Sequence, residues 1–171
     1  CMALSLAPPD EAQSLQWLSK QLPHEPVALQ TALRLSAGAP AAALQLLEPA
    51  RWQARQNLCD ALPAALRQDI LLLLPLLNAE DVAARISWLM ALLVDAIKWQ
   101  QGAVRWLSNP DRQDVVALLA ETFSARALDE SARAWMQCRE QLIHVAAVNR
   151  ELLLTDRLLS WADQRKPGVV A

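Results

Sequence analysis

The chain has 171 residues, a formal net charge of −2 and 54% hydrophobic residues. That is material for one compact domain or two small ones, and the slightly acidic balance excludes a module whose main task is coating nucleic acid, which needs clustered Lys and Arg. Three glycines, little β-branched alternation and a text dominated by Ala, Leu, Gln and Arg speak against sheets and set the expectation of an all-α fold.

Helix signals follow one another along the chain. Pro9-Asp10-Glu11 suits a helix start, with proline at the first position and acids near the positive end, and that helix should run to about Gln21. Pro26 opens a second helix that stops at Gly38, expected in the left-handed conformation. Pro40 opens a third that ends near Glu48. These three short helices make a small unit over residues 1–49, with a boundary at Pro49-Ala50 and a larger helical bundle over 50–171. A helix over 51–62 leads into that bundle. The run Ile70–Leu77 is strongly apolar but far below the roughly 20 residues of a membrane span, and Pro75 interrupts it. Asn78 is placed to cap a long helix over 79–101 with a buried stripe of Val82, Ile86, Leu89, Met90, Leu93, Val94 and Ile97, ended by Gly102.

Asn109-Pro110-Asp111 combines a cap, a fixed φ and an acid in the first turn, and so starts another helix, packing Val115, Leu118, Leu119 and Phe123. The next should present Leu128, Ala132, Trp135, Met136, Leu142 and Ile143 on one face. Asn149 caps the last helix, whose Leu152, Leu153, Leu154, Leu158, Leu159 and Trp161 wrap much of its circumference. A helix apolar nearly all round needs more than one packing surface, so part of it is expected to meet another subunit.

Sites for chemistry are scarce. The text holds no Gly-rich phosphate loop and no triad candidate. Cys1, Cys59 and Cys138 are far apart and form no Cys-x-x-Cys pair, so neither metal nor cofactor is expected, and a reduced cytoplasmic setting is the plain reading. Cys1 as a lipid-bearing residue is an alternative. His24 falls in a loop and His144 on a helix, and Glu80-Asp81 reads as a helix start rather than an acid–base pair. Trp99 and Trp106 flank a helix end, where exposure and stacking on a base are conceivable. Arg126 with Arg133, and Arg139 with Glu140, read as solvated faces or as cross-subunit pairs. No signal peptide is visible, and neither a membrane nor a small-molecule substrate is expected.

Several stretches carry a resemblance. They are Arg34-Leu35-Ser36-Ala37-Gly38-Ala39-Pro40-Ala41, the opening Cys1-Met2-Ala3-Leu4-Ser5-Leu6-Ala7-Pro8-Pro9, and Trp52-Gln53-Ala54-Arg55. Arg139-Glu140-Gln141-Leu142, Asn149-Arg150-Glu151-Leu152-Leu153-Leu154-Thr155-Asp156 and Pro167-Gly168-Val169-Val170 complete the set. Together they resemble the clamp-loader branch of the AAA+ proteins, in particular delta-prime subunits of bacterial DNA polymerase III. The resemblance implies a three-helix AAA+ lid followed by a helical collar, with the nucleotide-binding core and a Ser-Arg pair upstream of Cys1. Three residues after the lid glycine such proteins normally carry an arginine that senses the γ-phosphate. Here Gly38 is followed at that position by Ala41, which implies a degenerate sensor and no nucleotide binding. The implied function is a non-catalytic stator in DNA replication, joined in a ring with gamma/tau-type and delta-type subunits. Primer-template DNA and the sliding clamp are implied as partners only through the whole complex. Arg139, Asn149, Arg150, Leu152, Leu153, Asp156 and Trp161 are the candidate contacts. A gamma/tau-type ATPase, against which Ala41 argues, and an unrelated helical scaffold are the alternatives.

Overall fold

In the computed structural model, residues 9–145 and 149–166 are described, and every regular element among them is helical. The segments around Cys1 and Pro167-Gly168-Val169-Val170, read above as part of the resemblance, lie outside the described residues. The chain divides into two compact units, Cys1–Trp52 and Gln53–Ala171.

In the first unit, α1 (Glu11–Gln21) starts two residues after Pro9, because the Asp10 carboxylate accepts from the Gln13 backbone N–H at 2.7 Å and serves as the N-cap. Prolines open α2 (Pro26–Leu35) and α3 (Pro40–Leu46), as their fixed φ and missing donor favour. Leu18, Leu29, Ala32, Leu33, Ala43 and Leu47 form the core between the three helices. Glu11 ties α1 to α2 by accepting from Gln30 Nε2 at 3.3 Å and Arg34 Nε at 3.4 Å.

The turn after α2 differs in detail from expectation. The Gly38 N–H reaches back to the Leu33 carbonyl at 2.9 Å and the Ala37 N–H to Arg34 at 3.2 Å, the double bond of a Schellman closure. The left-handed residue that ends the helix is therefore Ala37, at φ 51°, and Gly38 follows it at φ 81°. Two successive positive φ values turn the chain into Pro40.

The division between the units falls inside α4 (Pro49–Arg67). The sequence reading ends this helix near Leu62. The helix instead passes through Pro63. Its buried stripe of Leu58, Cys59, Leu62, Ala65 and Leu66 continues across the proline, and that burial offsets one missing hydrogen bond. A 3₁₀ turn, Ile70–Leu73, leads into the short α5 (Leu74–Leu77).

The long central helix α6 (Val82–Gln100) begins three residues later than its sequence signal suggests, after turns at 78–81. Asn78 does not cap it, and its side chain is engaged elsewhere. Gly102, at φ 73°, ends it as expected. After 3₁₀ turns at Val104–Trp106 and Pro110–Arg112 come α7 (Gln113–Thr122), α8 (Ala125–His144) and α9 (Arg150–Ala162). Ser124 caps α8 by accepting from the Ala127 N–H at 3.2 Å.

Helix α6 packs on α7 and α8, while α9 packs on α8, α5 and the 3₁₀ turn before α5. Ile86, Leu89, Leu92, Leu93, Val115, Leu119, Leu128, Leu154 and Leu158 are wholly buried. Trp161 stacks on Phe123, centroids 5.5 Å apart, and meets Trp135 edge-on at 6.1 Å. No helix among the described residues is long and apolar enough to cross a membrane.

Candidate subunit interface

Three elements meet at one end of the second unit: the turn at 78–81 with the start of α6, the end of α8, and the start of α9. Local and tertiary bonds fix them together. Asn149 Oδ1 accepts from the Leu152 N–H at 3.1 Å and caps α9. Arg150, the next residue, turns back. Its Nε donates to Asn78 Oδ1 at 2.5 Å and its Nη1 to the Ala79 carbonyl at 3.1 Å. From α8, Arg139 Nε donates to the Ala83 carbonyl in the first turn of α6 at 3.2 Å. Two arginines from different helices thus hold the same corner of α6.

Between these elements lies a hollow of about 540 Å³, lined by Glu80, Val82, Leu142, Ile143, Val145 and Glu151 among others. A second hollow, of about 380 Å³, shares Asn149 and Glu151 with the first and continues along α9 to Leu152 and Thr155. Large apolar side chains stand at the rim: Leu152 is 66% exposed, Val145 51% and Ile143 48%. Leu159, exposed two turns beyond Leu152, and Met136, exposed two turns before Ile143, extend the apolar surface. Among the described residues Glu80 and Glu151 have no ion-pair partner. The hollow is therefore bordered by apolar side chains and carries the Glu80 and Glu151 carboxylates beside the Arg150 guanidinium.

The residues singled out from the sequence separate by position. Arg139, Asn149 and Arg150 come together at this corner, but as cap and tethers within the unit. Leu152 and Asp156 share the exposed stripe of α9, Asp156 lying 3.4 Å from Arg157, and Leu153 is half-buried. Trp161 corrects the expectation. It is 2% exposed and packed between Phe123 and Trp135, so it anchors the interior and presents no contact surface. The apolar circumference of α9 is divided: Leu154, Leu158 and Trp161 face the core, while Leu152 and Leu159 face outward. In the first unit, Ala41 is exposed in the first turn of α3. Its methyl group offers a phosphate neither charge nor donor.

A buried polar network escaped the sequence reading. Arg55, with 0% exposure on the buried stripe of α4, donates through Nη1 and Nη2 to both carboxylate oxygens of Asp111, at 2.7 and 2.9 Å. Its Nη2 also reaches Asn109 Oδ1 at 2.7 Å. Asn109 Nδ2 donates in turn to the wholly buried Asp95 at 2.8 Å. Asp95 further accepts from the Ser108 and Asn109 backbone N–H groups and from Lys98 Nζ, at 2.9, 2.7 and 2.9 Å. Asn109 and Asp111, read as helix-start residues, are spent on this network instead, and α7 begins only at Gln113 without a side-chain cap. The available signal was an arginine at the helical spacing of Leu58, Leu62 and Leu66. A charge on an apolar stripe requires a partner.

The two described cysteines are buried and free. Burial raises the Cys59 thiol, with Arg55 opposing, and pushes Cys138 up to about 11. Both are neutral structural thiols near pH 7.

Comparison with known proteins fits this layout. Residues 9–48 match the family described as DNA polymerase III subunit delta', AAA+ ATPase lid domain, and residues 49–163 match DNA polymerase III, delta subunit, C terminal. Over 98% of its length the chain is 50% identical to DNA polymerase III subunit delta' of Yersinia pestis, covering 51% of that protein. It is 43% identical over 99% of its length to the subunit of the same name from Escherichia coli K12, again covering 51% of it. With the Haemophilus influenzae subunit the identity is 26% over 92% of the chain. The chain spans about half the length of the curated relatives it matches. The two families occur in series and meet at Pro49, the residue that opens α4, so the chain belongs to the DNA polymerase III delta-prime family and carries its lid and its helical C-terminal region.

Proposed function

We propose that this chain is a non-catalytic, structural part of the bacterial DNA polymerase III clamp loader. In this reading residues 1–49 are the lid of an AAA+ module. Residues 50–171 are a collar that joins gamma/tau-type and delta-type subunits in a cytoplasmic ring. Primer-template DNA and the sliding clamp are met by the assembled ring. The ring loads the clamp during replication, and this subunit supplies rigidity rather than hydrolysis.

The observation that carries the reading is the apolar surface at the end of α8 and α9. Ile143 and Val145 at the end of α8 and Leu152 and Leu159 on α9 are exposed, and apolar side chains left exposed together mark protein contacts. Leu152, Leu153 and Asp156 are the contacts assigned to α9, with Arg139, Asn149 and Arg150 holding the surface in shape. Ala41 supports this reading over a gamma/tau-type ATPase.

The test is co-elution of the chain with gamma/tau-type and delta-type subunits on a sizing column. Leu152→Asp and Leu159→Asp should leave unfolding free energy within about 0.5 kcal/mol, as surface changes do. Each should also weaken assembly by about 2 kcal/mol, the usual effect of losing an interface anchor. Unchanged assembly in both variants would place the contact surface elsewhere. Saturable ATP binding by calorimetry at micromolar ligand would favour the ATPase alternative.

A further inference from the structure

We infer that the short stretch after α9, residues 163–166, acts as a latch. Closed, it holds α4, α7 and α8 with side chains drawn from one segment. Released, it frees the ends of α4 and α7 and the last turn of α9 together, while the centre of the second unit stays folded.

Helix ends give the first part of the argument. The last four carbonyls of a helix have no partner within it. Helix α7 closes without a glycine and with no basic residue in its last turn, the extended Phe123 giving its N–H to the Leu119 carbonyl. The carbonyls beyond Leu119 accept from groups distant in sequence. Lys166 donates through its backbone N–H to Thr122 at 3.0 Å, and through Nζ to Glu121 at 2.9 Å and Ala120 at 3.4 Å. Gln100, the last residue of α6, adds bonds from Nε2 to Ala120 and Phe123 at 2.7 and 2.9 Å. Arg165 serves α4 in the same way. Its Nη1 donates to the Leu66 carbonyl, one residue before that helix ends, at 2.7 Å, and its Nε to the Ala162 carbonyl at the end of α9 at 2.9 Å. Gln164 Oε1 accepts from the Ser131 hydroxyl of α8 at 2.6 Å. Three consecutive residues thus engage three helices, and both cations stand at helix C-termini, where the dipole favours positive charge.

Position gives the second part. Gln164, Arg165 and Lys166 are half-buried. Phe123, just past the end of α7, stacks on Trp161 in the last turn of α9. The ends of these two helices therefore share an aromatic contact as well as the latch bonds, so loosening one loosens the other. Carbonyls freed by a half-buried segment meet water rather than an apolar core, which is the condition for opening locally at low cost. The start of α9 is held separately, by Arg150 on Asn78 and Ala79. The helix therefore stays docked at one end when the other is released.

Native-state amide exchange of the whole 171-residue chain, read residue by residue by NMR, tests the latch. Arg165→Met and Lys166→Met are made singly, with melting curves showing that each folds. Two amides report on opposite sides: Gln68, whose N–H bonds Ala64 at the end of α4, and Phe123 at the end of α7. Each variant should speed exchange at both amides, and at Asp163 after α9, by about threefold or more. Lys166→Met should therefore act on Gln68, although Lys166 bonds nothing in α4, and Arg165→Met on Phe123. Exchange over 89–93 in the middle of α6 should not change. Lys166→Arg, which keeps the cation, should exchange as the parent chain does. If each variant loosens only the helix end it touches, the residues are separate caps and the latch is overturned. Unchanged exchange in both variants overturns it too, since the bonds are then replaced by water at no cost. Faster exchange throughout α6 overturns it as well, because the segment then opens only with the whole unit.

Discussion

Replacing Asp111 by alanine should be among the most damaging single changes in this chain. The guanidinium of Arg55 is wholly buried and is held by both oxygens of Asp111 at 2.7 and 2.9 Å, Asp111 itself being only 8% exposed at its side chain. Truncation removes both carboxylate bonds of a buried cation and leaves the neutral Asn109 Oδ1 among its partners. Removing one member of a buried pair typically costs about 3–5 kcal/mol, a large part of the stability of a domain. Equilibrium urea unfolding followed by far-UV circular dichroism measures the loss. The double variant Arg55→Met with Asp111→Ala removes the stranded charge and should recover a substantial part, giving a coupling energy well above about 1 kcal/mol. The network also fixes the 104–112 segment through Asp95 and Asn109, so Asp111→Ala should raise amide exchange at Ser108 and Asn109. A loss below about 1 kcal/mol for Asp111→Ala, with unchanged exchange, would refute the reasoning and mean that solvent readily reaches Arg55.

Gly38→Val should destabilise the first unit by about 1–3 kcal/mol; a Cβ there meets nothing within 4 Å, so the effect is backbone strain at φ 81° and not a clash. Ala37→Gly should raise stability by up to about 1 kcal/mol, since Ala37 already holds φ 51°, and thermal unfolding of the two variants checks both. Trp161→Ala should cost about 3–5 kcal/mol in denaturant unfolding because it removes a ring packed on Phe123 and Trp135. The Cys138 thiol, pushed up to about 11 by burial, stays protonated when folded while the unfolded thiol ionises near pH 9. Stability should therefore fall as pH rises from about 9 to 11, and Cys138→Ala should flatten that fall. An unchanged slope would show that the thiol is not the source.

Helices were legible wherever the local signal had no competitor. Pro26 and Pro40 open their helices and Gly102 closes α6, because proline and glycine act through their own backbone and need no tertiary partner. Polar start signals were less faithful, because the side chains that cap can also reach across the fold. Asn78 gives its oxygen to Arg150, Asn109 bridges Arg55 and Asp95, and Asp111 pairs with Arg55. Asn78 and Asn109 were displaced from a capping role worth about 1 kcal/mol, and Asp111 from a first-turn role, by charged bonds of greater strength. Helix α4 runs past Leu62 and through Pro63 because the apolar stripe on either side of the proline buries more than one lost hydrogen bond can undo.

The surface proposed for assembly shows where sequence periodicity reaches its limit. Leu152, Leu154, Leu158, Leu159 and Trp161 are all apolar, and the excess of apolar circumference on α9 was visible from spacing alone. Which arc faces inward depends on the angle at which α9 meets its neighbours. That angle is set at the corner where Arg150 reaches the 78–79 turn and Arg139 reaches Ala83. With Arg150 so tethered, Leu154, Leu158 and Trp161 turn into the core and Leu152 and Leu159 turn out. Three consecutive residues thus act on the same surface in different ways. Asn149 starts the helix, Arg150 sets its rotation, and Glu151 stands exposed in the first turn beside the hollow. The residues that decide what is exposed are not the exposed ones, so a substitution at Arg150 should act on assembly by rotating Leu152 away from its partner rather than by removing a contact.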